Sequence, residues 1–176
     1  CIQLERQHDK FEYRKNKSFQ IKENRKSTEE FLKRFPFQAT KSQEKSIEII
    51  LSDMAKSFPM SRLLEGDVGS GKTAVAATAS YVTVMQRPLD AKGKPQSFGN
   101  LQVGYMAPTE ILATQHFESF IKYFSHLPIN IGLITGSGCR KFPSKSNPED
   151  WTTISRAQLL KWVGNGEIPI LIGTHA

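Results

Sequence analysis

The sequence predicts an α/β fold, a parallel sheet with helices on both faces. Short apolar runs alternate with stretches of helical periodicity along most of the chain, and one glycine-rich loop joins an apolar run directly to a helix. The third observation is bulk: 176 residues, 38% hydrophobic and 23% charged, are enough for a real core with an ordinary globular surface. Strands alternating with helices imply right-handed crossovers, which put a ligand at the carboxyl ends of the strands.

The elements follow in chain order. Residues 1 to 35 hold ten Lys/Arg against six Asp/Glu and fit no clean apolar period, so a basic linker, mobile or helical, is expected ahead of a domain spanning 36 to 176. Within it, Ser27 to Glu30 has capping-box spacing and should start a short helix through Phe35, which Pro36 stops. A helix with Ile47, Ile50, Leu51 and Met54 on one face comes next and ends at Phe58-Pro59. Thr40 to Gln43 is another capping box. The plainer role of Gln43 is therefore to reach back to its own helix start, and the alternative is that it aims its amide at a base. Arg62 to Leu64 reads as a strand and Thr73 to about Met85 as a helix, followed by a Pro-, Gly- and Lys-rich surface insertion from Gln86 to Asn100. Leu101 to Met106 is a second strand. Thr109 caps a helix whose Ala113, Phe117, Phe120, Ile121 and Phe124 share a face. Ile129 to Ile134 is a third strand, Ser137 to Asp150 a basic, Pro-rich loop, and Thr153 to Val163 a helix ended by Gly164-Asn165-Gly166. Ile168 to Ile172 is the fourth strand.

The loop between the first strand and its helix is Gly66-Asp67-Val68-Gly69-Ser70-Gly71-Lys72-Thr73, which matches G-x-x-x-x-G-K-[ST] at every fixed position. Such a turn bares backbone N–H groups that wrap a polyphosphate, and the positive end of the helix dipole faces the anion. Lys72 reaches the β/γ-phosphates as a point charge, and the Thr73 hydroxyl is placed to ligate Mg²⁺.

A formal net charge of +7 favours an acidic partner, nucleic acid first. Two cysteines, Cys1 and Cys139, and four scattered histidines, His8, His116, His126 and His175, form neither a disulfide framework nor a zinc site, which suits a reducing cytoplasmic protein. No apolar run approaches the roughly 20 residues of a membrane span. The chain begins with Cys and stops just after an apolar strand, as a piece of something longer would.

Five blocks in order resemble the first motor domain of superfamily-two DNA translocases, and most closely the RecG branched-DNA helicases. Phe35-Pro36-Phe37 through Thr40 and Gln43 resembles the family's adenine-recognition segment, Met60 to Thr73 its Walker A region, and Met106 to His116 its motif Ia. Thr135-Gly136 and Gly173 to Ala176 are similar to the later DNA-contacting motifs. The transcription-repair coupling translocase resembles the chain almost everywhere; Ser70, Ala107, Glu110 and Ala176 favour RecG. The resemblance implies a RecA-like P-loop NTPase domain, cut before Walker B, that takes ATP and Mg²⁺. It assigns Lys72 and Thr73 to catalysis, Thr73 to the metal, and Phe37, Gln43 and the loop Gly66, Asp67, Val68, Gly69, Ser70, Gly71 to nucleotide binding. Thr109, Gln115, Thr135, Thr174 and His175 are the expected grip on DNA phosphates, although Thr109 and Thr174 are equally good plain helix caps. The intact protein is expected to be a monomeric motor on branched DNA, at replication forks and Holliday junctions in recombination and repair. The segment alone is expected to bind nucleotide weakly without turnover. Two rivals carry the same loop: a small-molecule kinase, which needs an acceptor site and a lid, and a nucleotide switch or DNA-binding scaffold without motor activity.

Overall fold

A computed structural model describes residues 15–89, 93–96 and 99–175. Cys1, His8 and the start of the linker, parts of the Gln86 to Asn100 insertion, and Ala176 lie outside the described residues. The chain divides into two compact units, residues 1–82 and 83–176.

The first unit carries α1 (Arg25–Leu32), α2 (Lys41–Met54) and most of α3 (Lys72–Val84). α1 starts two residues before Ser27, because the Asn24 side chain accepts the Ser27 N–H and so takes the N-cap. The expected Ser27 capping box is thereby corrected: Ser27 lies inside the first turn. Residues 18–35 pack within this unit. Ser18 N–H donates to Ser57 O at 2.9 Å and Ile21 N–H to Met54 O at 3.0 Å. Phe31 is buried and stacks on Tyr81 of α3 with ring centroids 4.2 Å apart and planes 4° from parallel. Phe35 meets Phe31 edge-on at 5.3 Å, and Phe37 continues the row 5.6 Å from Phe35. Burial of an aromatic side chain contributes about 1.5–3 kcal/mol, so this row supplies much of the unit's small core. In α2, Ile47, Ile50 and Leu51 of the expected stripe are buried and Met54 is half-buried.

Residues 61–67 form no strand. The expected strand Arg62 to Leu64 is therefore corrected to an irregular segment. Leu63 is 79% exposed, and Arg62 is drawn to Asp53, to which its Nε donates at 2.7 Å. Lys56 and then Arg62 hold the Asp53 carboxyl below its ordinary range.

The second unit contains β1 (Val103–Met106), α4 (Glu110–Phe124), β2 (Ile131–Thr135), β3 (Gly138–Phe142), β4 (Thr152–Ile154), α5 (Arg156–Gly164) and β5 (Ile170–Gly173). Its sheet has the order β1-β5-β2-β3-β4, with β5 parallel to both β1 and β2. β3 and β4 add an antiparallel edge, so the sheet is mixed. That edge lies where the sequence suggests a loop from Ser137 to Asp150 and a helix from Thr153. Thr135-Gly136-Ser137-Gly138 makes a two-residue hairpin with Thr135 paired to Gly138, and Ser155, rather than a residue before Thr153, caps α5.

Helices cover both faces. α4 packs on the β2 and β5 side with Ala113, Phe117, Phe120 and Phe124 fully buried, and Tyr105 of β1 meets Phe120 edge-on at 5.1 Å. On the opposite face Leu159 of α5 packs with Cys139 and Ile168, flanked by Ile134, Trp162 and Leu171. Gly132 is needed there, since a Cβ would come within 2.8 Å of the Leu159 side chain.

Candidate functional site

The phosphate loop runs from Gly66 into α3. Gly69 and Gly71 have φ of 81° and 79°, the left-handed region in which a Cβ costs about 1–2 kcal/mol. Val68 at the tip projects wholly into solvent, and Asp67 and Ser70 are exposed beside it. Lys72 opens the helix and folds back over the loop. Its Nζ donates to Gly66 O at 2.7 Å and Asp67 O at 2.8 Å, with Ser70 Oγ at 3.5 Å. The ammonium thus rests on three loop oxygens, which the oxygens of a polyphosphate can replace. Thr73, the next residue, is partly buried in the first helical turn. These residues fit the triphosphate and magnesium ion that the motif implies.

Gln43 does two things at once. Its Oε1 accepts the Thr40 N–H at 2.8 Å while Thr40 Oγ1 accepts the Gln43 N–H at 3.3 Å, the reciprocal capping box. Its Nε2 donates to Ser70 O at 2.7 Å, inside the phosphate loop. The amide therefore caps α2 and braces the loop together. Gly71 makes room for it: a Cβ there would lie 2.2 Å from Gln43 Nε2. Phe37, 40% exposed, stands beside a cavity of about 660 Å³ lined also by Phe35, Gln38, Ala39 and Glu44.

In the second unit, Thr135 ends β2, Thr174 and His175 follow β5, and Thr109 lies just past β1, all at the carboxyl end of the three parallel strands. Ala107 N–H donates to Gly173 O at 2.8 Å and Thr174 N–H to Ile134 O at 3.3 Å, stitching the strand ends together. Thr109 is exposed and caps α4, accepting the Leu112 N–H at 3.3 Å; its own hydroxyl hydrogen remains a donor. Gln115 is exposed about 9 Å further along the helix axis. His175 is exposed. Thr135 is buried and its hydroxyl bonds inward, 3.1 Å from Gly138 O and 3.0 Å from Ser137 Oγ. The Thr174 hydroxyl is also buried, without a hydrogen-bond partner among the described residues. Thr109, Gln115 and His175 thus have exposed side chains, whereas the Thr135 and Thr174 hydroxyls are buried.

Sequence reasoning missed Glu110. Its carboxylate accepts the Ser137 N–H at 3.1 Å, and the Ser137 hydroxyl, then the backbone N–H groups of Ser137 and Gly136, hold it below the ordinary carboxylate range. The hairpin signal Gly136-Ser137 between two extended runs was the clue that a turn, and hence a partner for it, stood there.

A glycine-rich loop opening a helix, and parallel strands covered on both faces, are the parts of a RecA-like P-loop fold. The chain belongs to the DEAD/DEAH box helicase family, whose model matches residues 40–176. It is 35% identical over 167 residues to the ATP-dependent DNA helicase RecG of Aquifex aeolicus, covering 95% of this chain and 18% of that protein. It is also 35% identical over 159 residues to the transcription-repair-coupling factor of Haemophilus influenzae, covering 90% of this chain and 12% of that one. Among solved structures, RecG bound to a three-way DNA junction matches with a TM-score of 0.70 and 32% identity, covering 96% of this chain and 20% of the RecG chain. The chain therefore spans less than a fifth of the length of these curated relatives.

Proposed function

We propose that this segment is the nucleotide-gripping part of an ATP-dependent DNA helicase or translocase acting on branched DNA, such as forks and Holliday junctions, in recombination and repair. The observation that carries the reading is the Lys72 ammonium held over Gly66 and Asp67 in a loop of two left-handed glycines. The RecG relatives and the junction-bound RecG structure support DNA as the substrate of the motor. Lys72 would neutralise the β/γ-phosphates, Thr73 would hold Mg²⁺, Phe37 would face the base, Gln43 would serve nucleotide binding by bracing the loop at Ser70, and the Gly66 to Thr73 backbone would wrap the phosphates. Bound ATP with Mg²⁺ supplies the free energy of phosphoryl transfer. On the DNA side, Thr109, Gln115 and His175, with the backbone at Thr135 and Thr174, would hold phosphates without reading bases. Residues 1–35 would form the basic connection into the motor domain that starts at 36. The protein would act as a cytoplasmic monomer. No helix among the described residues is long and apolar enough to cross a membrane.

Lys72→Ala in the intact protein should abolish DNA-stimulated ATP hydrolysis, a loss of at least about 100-fold, while leaving the melting temperature nearly unchanged. Turnover and melting are measured together. Retained turnover removes Lys72 from the chemistry; a collapsed melt makes it structural.

A further inference from the structure

A carboxylate stands in the middle of the surface assigned to DNA phosphates. Coulomb's law alone makes Glu110 a liability there, since every phosphate that approaches is repelled. The geometry explains its presence. Glu110 is the first residue of α4, where a negative charge is favourable at the helix N-terminus, and its Oε1 accepts the Ser137 N–H across 27 residues of sequence. The carboxylate also lies so close to Gly136 that a Cβ on that residue would be 2.7 Å from Oε1. Gly136 has no positive φ, so the glycine there serves the close approach and not the backbone conformation. On the other side of the hairpin, Thr135 Oγ1 ties to Gly138 O and Ser137 Oγ, which closes the turn from within.

We propose that Glu110 is a positioning residue that locks the Thr135 to Gly138 hairpin to the N-terminus of α4, so that two DNA-facing elements move as one rigid unit. Neither element is joined to the other by the backbone ladder. Thr135 ends β2 and Glu110 begins a helix whose buried face packs on that strand, so the Glu110 bond adds a direct tie between the exposed helix start and the hairpin. A phosphate grip depends on the spacing of the two, because donors must sit where the anion will be before it arrives. This inference rests on the DNA surface proposed above.

The test uses the intact protein with Glu110→Ala and Glu110→Gln, the second keeping a carboxamide oxygen to accept the Ser137 N–H without the charge. Hydrogen–deuterium exchange over residues 131–142 reads the hairpin, and titration with forked DNA at several salt concentrations reads the grip. Glu110→Ala should speed exchange at Gly136 and Ser137 and weaken DNA about fivefold, the lower end of typical site couplings. Glu110→Gln should keep the protection and bind DNA at least as well as the parent, because one repulsive charge is gone. If Glu110→Ala leaves exchange unchanged, or binds DNA more tightly, the lock is overturned and Glu110 is only a helix-end charge. Faster exchange with unchanged DNA affinity would instead overturn the placement of DNA on this surface, while the lock between hairpin and helix would stand.

Discussion

Gln43 shows how one side chain can hold two elements whose sequence signals look separate. Its amide oxygen completes the capping box of α2 and its amide nitrogen reaches Ser70 O in the phosphate loop. Loss of the cap costs about 1 kcal/mol, and the loop loses a brace at the same time. Gln43→Ala in the intact protein should therefore weaken inorganic tripolyphosphate as well as ATP, because the phosphate loop itself loosens. Calorimetric titration of both ligands checks this. A drop for ATP alone would mean that the amide serves the base and that its bond to Ser70 is incidental; a drop in melting temperature with both affinities intact would leave only the cap. Lys72 belongs to the same scale: its two carbonyl partners, Gly66 and Asp67, are weak competitors for a cation that a triphosphate would hold far better.

Among the elements, α1 lies in the stretch that the sequence marks as a basic linker, mobile or helical, and it is helical. Its residues look like a charged connector, yet Phe31 is buried against Tyr81 of α3, the helix that the phosphate loop opens. Removing a buried phenylalanine costs about 3–5 kcal/mol. Phe31→Ala should release residues 18–35, seen as faster amide exchange at Ile21 and Ser18, whose N–H groups bond to Met54 O and Ser57 O. Exchange unchanged in that segment would show that the backbone bonds alone hold it. In the second unit the four residues Ala113, Phe117, Phe120 and Phe124 anchor α4 so firmly that its exposed N-terminus can carry function without loss of place. The packing there also explains His116: burial beside Tyr105, whose ring centroid is 4.9 Å away, pushes its imidazole below the usual range.

For the molecule as a whole, the net charge of +7 suits the proposed grip on DNA phosphates. Affinity of the intact protein for forked DNA should fall linearly with salt on a log–log plot, with the same slope for scrambled sequences of one shape. Forks should be preferred over linear duplex of identical composition. Titration of forked and linear duplexes in two sequences at several salt concentrations measures both effects. Strong discrimination between sequences of the same shape would place bases, and not phosphates, in the grip.

What the sequence determined by itself was everything decided by neighbours in the chain. The G-x-x-x-x-G-K-T loop, the Thr40–Gln43 box and the apolar face of α4 depend on backbone conformation and helical period within a few residues, and each stands where the spacing put it. So does the alternation of β1, α4, β2, α5 and β5 that defines the fold class. Tertiary structure alone decided the rest. The antiparallel edge of β3 and β4 arises because β2 offers an open ladder to the residues after its hairpin, and Arg62 to Leu64 stays irregular because it finds no such ladder among the described residues. Gln43 to Ser70 and Glu110 to Ser137 are each contacts across 27 residues. No local period encodes such a pair: a hydrogen bond forms only within about 3.2 Å, and where two distant groups meet is fixed by the packing of everything between them.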